Sequence, residues 1–189
     1  MSKSDLRKKL RAARKAHVAQ QPDAIRALLF NRPPAPLLEM IDAGASIGLY
    51  HATPDEARTS SYAAFFHEAG HTIALPYFDS EGTPMGFREH VDPYEESDLE
   101  TGAYGIQQPK ADSAAIIPDI AFVPLVGFTE EGERLGQGGG HYDRFLAKHP
   151  DTLAIGLAWD VQLCDKLPTE PHDMRLDAVI TPTRLYGPF

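Results

Sequence analysis

Gly132-Glu133-Arg134-Leu135-Gly136-Gln137-Gly138-Gly139-Gly140-His141-Tyr142-Asp143-Arg144 lies between an apolar run, Ile120 to Val126, and a helix-like segment, Tyr142 to Lys148. Four glycines fall within five positions, directly after a strand signal and directly before a helix signal. Glycines let backbone amides surround phosphate oxygens, and a helix start adds a favourable dipole. The loop is not of the Walker A type, because no Gly-Lys-Ser/Thr follows. Nor is it a G-x-G-x-x-G dinucleotide fingerprint, since the spacing is wrong and the loop comes late in the chain. Taken alone, a glycine cluster also reads as a flexible connection. Arg134 on one flank suits phosphate, and Asp143 on the other suits Mg²⁺.

The same alternation continues outward. Ser46 to Tyr50, Thr72 to Tyr77, Thr152 to Ala158 and Asp177 to Thr181 read as strands, and Asp55 to Ala69 reads as a helix. Strands alternating with helices predict an α/β fold over a single domain, residues 1–189. Its sheet is expected to be mostly parallel and flanked by helices, a Rossmann-like three-layer architecture. Residues 79–113 are polar and turn-rich and read as an excursion with a hairpin. Arg32-Pro33-Pro34-Ala35-Pro36 makes a stiff break. Before it, residues 3–30 read as a basic helix, with Leu6, Leu10 and Ala13 as its core stripe. Lys3, Arg7, Arg11 and Arg14 form an adjacent stripe that would overlook a cleft. On spacing alone that stripe is equally a solvated basic face, and a basic amphipathic N-terminus also suits a transit peptide.

The chain has 189 residues and a net charge of -9. Residues 1–17 carry seven cations against Asp5, a local +6, so the remainder holds -15. So acidic a body is a poor general nucleic-acid binder, and the basic segment suits an anionic small molecule instead. No apolar run is long enough for a membrane helix, and no secretory signal is visible. With Cys164 as the lone cysteine, a packed thiol, no internal disulfide or cysteine zinc site can form. A cytoplasmic protein is expected, a monomer or weak homodimer.

His67-Glu68-Ala69-Gly70-His71 matches the H-E-x-x-H signature of zinc metalloproteases. That chemistry needs both histidines one turn apart on one helical face. Gly70 reads instead as a left-handed helix cap, which puts His71 outside the helix and leading into a strand. The zinc reading is therefore set below the loop.

Val123-Pro124-Leu125-Val126-Gly127-Phe128, the glycine loop and the closing Tyr142-Asp143-Arg144 together resemble the signature of the 5-formyltetrahydrofolate cyclo-ligase family. The likeness runs from Lys3 to Thr181. Lys3-Ser4-Asp5-Leu6-Arg7 resembles that family's basic ATP-contacting helix. Asp55-Glu56 with Thr59 resembles its pterin-contacting element, and Gly105 to Pro109 its substrate-side segment. His172-Asp173-Met174 resembles the C-terminal element whose aspartate helps hold the metal. Some positions depart from the pattern: Tyr104, Gln108, Gln137, Gly139 and His141 stand where other residues are frequent.

The resemblance implies ATP-driven conversion of 5-formyltetrahydrofolate to 5,10-methenyltetrahydrofolate through a phosphorylated formyl oxygen. ATP and Mg²⁺ are the expected cofactors, and a reduced folate, with or without a polyglutamate tail, is the expected partner. Lys3, Arg7, Arg134, Leu135, Gly136, Gln137, Gly138, Gly139, Gly140, His141 and Tyr142 would hold the nucleotide. Arg134 and Tyr142 would act in catalysis, Glu56 and Tyr104 would meet the folate, and Asp143 and Asp173 would hold the metal. The alternatives are a phosphate-binding member of the same fold without this activity, a zinc protease, and a sugar-phosphate isomerase-like enzyme.

Overall fold

The computed structural model describes all 189 residues. Its helices are α1 (Lys3–Gln20), α2 (Asp23–Leu28), α3 (Ala35–Leu38), α4 (Ser60–Glu68) and α5 (His141–Lys148). The first strands are β1 (Ile47–Gly48), β2 (Ile73–Tyr77), β3 (Gly86–Glu89), β4 (Leu99–Thr101), β5 (Gln107–Pro109) and β6 (Ala115–Ile116). After them come β7 (Ile120–Pro124), β8 (Gly127–Phe128), β9 (Arg134–Leu135), β10 (Leu153–Leu157), β11 (Ala178–Ile180) and β12 (Leu185–Tyr186).

One sheet has the order β12-β11-β10-β7-β1-β2-β3-β6. Five adjacent strands, β11 to β2, are parallel; β12 and β3 run against them, and β6 pairs antiparallel with β3 at the far edge. The central strands are apolar along their whole length because both faces are covered. Ile73, Leu75, Ile120, Phe122, Ile155, Leu157 and Ile180 share one face with Val18 of α1, Leu37 of α3 and Phe66 of α4. Ala74, Ala121, Val123, Ala154 and Val179 share the other with Phe145 and Leu146 of α5. Two helix layers therefore sandwich the sheet. Each large apolar side chain fully buried there contributes about 1.5–3 kcal/mol.

From β1 the chain crosses through α4 to β2 on one side, then returns through the excursion to β7 on the other. The connections leave β1 and β7 in opposite directions. A crevice at the carboxyl ends of those strands is the expected ligand site of such a sheet.

The N-terminal segment differs from the continuous helix expected over residues 3–30. α1 ends at Gln20, and Gln21 is extended (φ -88°, ψ 130°) before Pro22. Proline disfavours helical backbone in the residue before it, so the helix stops there. Its buried stripe is Leu10, Arg14 and Val18, with Leu6 half-buried and Ala13 exposed. Arg14 is inside because Asp55 accepts from its Nε at 3.0 Å and from its Nη2 at 2.9 Å. The helix expected from Asp55 begins only at Ser60. Residues 50 to 59 are instead a folded connection: Thr59 Oγ1 donates to the Tyr50 carbonyl at 2.6 Å, and Tyr50 Oη to that of Ala57 at 2.7 Å. The excursion does contain its hairpin, β4 against β5.

Candidate functional site

A cavity of about 1080 Å³ opens at this crevice. Its walls are the segment after β1 (Tyr50 to Pro54, and Glu56), Pro76 and Phe78 at the end of β2, and Pro124 at the end of β7. The glycine loop and Lys3, Arg7 and Arg14 of α1 close it. Every residue given a nucleotide, catalytic, folate-meeting or metal role by name lines this one cavity, whereas Asp55, Thr59, Gln108 and Pro109 of the resembling motifs do not.

The loop is shorter than its sequence suggested. Arg134 and Leu135 are not loop but a strand paired with Gly127–Phe128, so the irregular part is Gly136 to Gly140. Leu135 is buried against Leu10, Val126 and Leu167, which leaves only its backbone for a ligand. Gly138 (φ +114°) and Gly140 (φ +66°) take backbone that side chains resist. Loop carbonyls turn toward α1: Arg7 Nε donates to Gly136 O at 2.8 Å, and Arg11 Nη2 to Gln137 O at 2.8 Å. The amides do not. None of the eight backbone N–H groups from Gly136 to Asp143 makes a hydrogen bond within the chain. The last three open α5, where any helix leaves its first N–H groups free, and the others belong to an exposed or half-buried loop, so the run offers the cavity a set of unengaged donors of the kind an anion needs.

Arg134 emerges from β9 beneath the loop. Its Nη2 donates to Asp143 Oδ1 at 2.6 Å, and its buried Nε has no partner. Asp143 Oδ1 also accepts from the Met174 backbone at 3.0 Å, which docks the C-terminal segment onto α5. In that segment Asp173 Oδ2 accepts from Glu170 N at 2.7 Å and from Lys3 Nζ at 2.7 Å. The Lys3 ammonium also meets Glu170 at 2.6 Å. Burial pushes the Asp173 carboxyl up, but the Lys3 hydrogen bond and charge win and hold it below its ordinary value. Asp143 Oδ2 carries no hydrogen bond, and Asp173 Oδ1 has only His172 nearby, at 3.8 Å. One free oxygen on each of two carboxylates lining one cavity fits the donor set of Mg²⁺, which takes one or two carboxylates plus phosphates. The tight trio Glu170, His172 and Asp173 does not include Asp143.

Beside the loop, the cavity lining suits a flat, polar-edged ligand. Glu56 Oε2 is fixed by Thr53 N at 2.9 Å and Oε1 by Gln137 Nε2 at 2.9 Å, which holds the side chain against the loop. Burial pushes the Tyr142 phenol well above its ordinary value; the Glu56 charge adds to this and Arg134 opposes it. Tyr142 is therefore a hydrogen-bond donor and not a base. Phe78, Tyr104 and His141 form an aromatic corner, with Phe78 edge-on to Tyr104 at 5.2 Å and to His141 at 4.8 Å. Tyr104 holds a left-handed backbone (φ 59°) while its Oη accepts from Gly82 N at 2.8 Å. Such strain costs on the order of 1–3 kcal/mol and persists only where the surroundings enforce it. Gln108 stays behind this wall, bridging both backbone groups of Phe78 at 3.0 and 3.2 Å.

The H-E-x-x-H match forms no metal site. α4 ends at Glu68; Gly70 (φ +88°) donates to His67 O at 3.0 Å and His71 N to Phe66 O at 2.9 Å. This is a Schellman cap. His71 Nδ1 meets the Ala45 carbonyl at 2.8 Å, and Glu68 takes the Tyr94 hydroxyl at 2.5 Å.

Phe78 and Glu170 line the cavity without having been singled out in the sequence, and Arg14, placed there on the basic stripe, is buried. Phe78 had a usable signal, being the residue just beyond a predicted parallel strand, where ligands sit. Glu170 stands three residues before Asp173 in one turn. Nothing local marked Arg14 as buried, since its partner is 41 residues away.

A model of the 5-formyltetrahydrofolate cyclo-ligase family matches residues 1–182. The chain is 38% identical over 126 residues to the 5-formyltetrahydrofolate cyclo-ligase of Escherichia coli K12, covering 62% of this chain and 67% of that one. With the mouse (Mus musculus) 5-formyltetrahydrofolate cyclo-ligase it shares 28% identity over 148 residues, 71% of each chain. The NMR structure of 5,10-methenyltetrahydrofolate synthetase from Aquifex aeolicus superposes with a TM-score of 0.79 at 27% identity. That superposition covers 100% of this chain and 93% of the other.

Proposed function

The chain belongs to the 5-formyltetrahydrofolate cyclo-ligase family, and from that premise we propose that it converts 5-formyltetrahydrofolate to 5,10-methenyltetrahydrofolate, driven by ATP. The observation that carries this reading is the run of eight free N–H groups at the glycine loop, facing a cavity whose lining beside the loop is aromatic and carboxylate-edged.

A formamide carbon is a poor electrophile because its nitrogen donates into the carbonyl. The formyl oxygen attacks the γ-phosphorus of ATP, and the bond to ADP breaks. The carbon now bears a phosphate leaving group and resembles an iminium. The neighbouring anilino nitrogen attacks it within the same molecule. The C–O bond then breaks, and the nitrogen's proton departs with the phosphate.

What the chain supplies is position and charge. The loop amides cradle phosphate oxygens. Arg134, whose Nε is buried and unpartnered, and Arg7, bound only through Nε, bring their guanidinium groups against the loop at Gly136 and Gly138. Lys3 stands at the same wall, drawn between Glu170 and Asp173. Mg²⁺ would be held by Asp143 and Asp173 and would neutralise phosphate charge. Glu56 accepts from the pterin's amino and ring N–H groups, Tyr104 packs against a folate ring, and Tyr142 donates from below. No helix is long and apolar enough to cross a membrane. The reading places the protein in the cytoplasm as a monomer or weak homodimer, which sedimentation of the purified protein tests.

Mixing the protein with MgATP and 5-formyltetrahydrofolate tests the reaction itself. The methenyl chromophore is expected to grow with stoichiometric ADP release. ATP binding without that chromophore would favour a non-catalytic phosphate-binding member of the fold.

A further inference from the structure

His141 opens α5 at the junction of the glycine loop and the aromatic corner, with its ring against Phe78 and Tyr104. Its Nδ1 lies 3.1 Å from Arg144 Nη2, which also donates to Gly139 O at 2.8 Å. A guanidinium has only donors, so Nδ1 must be the accepting, unprotonated nitrogen. The ring proton of the neutral imidazole is thereby fixed on Nε2. That nitrogen lies over the loop: a Cβ built on Gly139 would come within 2.7 Å of it. No carboxylate pairs with His141, the other groups packed on it being the Phe78 ring and the Tyr104 phenol.

We propose that Arg144 is a positioning residue that locks His141 as an Nε2–H donor above the loop, where it donates to an oxygen of the transferred phosphoryl group. The inference rests on the functional reading above and adds to it a specific donor and the residue that orients it. A donor aimed where charge develops raises turnover more than it tightens ground-state binding. Arg144 never touches the nucleotide; it acts through the imidazole.

The test combines a spectroscopic and a kinetic readout. Nitrogen NMR of the ¹⁵N-histidine-labelled protein at neutral pH should show His141 protonated at Nε2 and bare at Nδ1. In Arg144→Leu the two tautomers should mix. A wild-type proton on Nδ1 would overturn the proposal whatever the enzyme does. In kinetics, His141→Phe should lower kcat by roughly tenfold, the size of one lost hydrogen bond, with KM for ATP little changed. His141→Gln, whose amide supplies a donor near Nε2, should recover most of that loss. Because an amide needs no tautomer fixed, adding Arg144→Leu to His141→Gln should change nothing further. If Arg144→Leu costs as much in the glutamine background as in the wild type, Arg144 acts through Gly139 and the proposal fails. A wild type that forms no methenyl product would count against the functional reading, while the tautomer measurement still decides this one.

Discussion

Residues 67 to 71 and residues 136 to 143 both join a helix to a strand, both carry histidine and glycine, and both invite a reading as a site. Their polar groups end differently. In the first segment the Schellman bonds take the backbone donors, Ala45 takes His71, and Tyr94 takes Glu68. In the second, eight consecutive N–H groups and the Arg134 Nε find no partner in the chain. The loop amides are open to solvent and to the cavity, whereas the Arg134 Nε is buried, where an unmade bond costs about 1–3 kcal/mol. In the first segment the fold uses its own donors; in the second they are left over beside a cavity, which is why the proposed ligand is put there.

The largest effect should come from the carboxylates that complete the second region. Asp143→Asn keeps an oxygen for Arg134 and Met174 but removes the charge, and Asp173→Asn does the same beside Lys3. Each should lower turnover roughly 10²-fold, with part recovered at high Mg²⁺. The double variant should lose less than the product of the two, since both serve one ion. Clean multiplication with no Mg²⁺ rescue would remove the shared metal from the account. Next in size, Arg134→Ala should weaken ATP binding by about 1.5–3 kcal/mol, read by calorimetry, with the fold intact by circular dichroism. Unchanged affinity would break the assignment of the loop.

The first region should respond only in stability. Gly70→Ala forces a side chain into left-handed backbone at φ +88°, which costs about 1–2 kcal/mol. Its Tm should fall by a few degrees, with kinetics of the folded enzyme unchanged. Smallest of all is the double change His67→Ala and His71→Ala, expected to leave turnover as it is. Stoichiometric zinc in the wild type, lost in that variant, would restore the metalloprotease reading.

Much of this was legible before any coordinates. The parallel sheet followed from apolar runs bounded by turns, and Gly70 was readable as a cap because it separates helix from strand. The glycine loop was readable because four glycines in five positions have few structural uses. What escaped were pairings set by distant chain. Arg14 looks like its exposed neighbours until Asp55 folds onto it, and that same connection delays α4 to Ser60. Lys3 reads as a free cation, yet it is clamped by residues 167 and 170 positions away. Arg134 reads as loop because its strand partner, Phe128, lies across a tight hairpin. In each case local spacing is correct and the partner, which spacing cannot name, decides burial.

Amide hydrogen exchange over residues 136 to 143, with and without MgATP and in the absence of folate, tests the central claim most directly. Without nucleotide these amides lack hydrogen bonds in the chain and should exchange at rates near those of open backbone. Saturating MgATP should protect several of them strongly while residues 67 to 71 keep the protection they already have. If MgATP saturates the protein and the loop amides still exchange freely, the phosphates are held elsewhere and the loop is not the cradle.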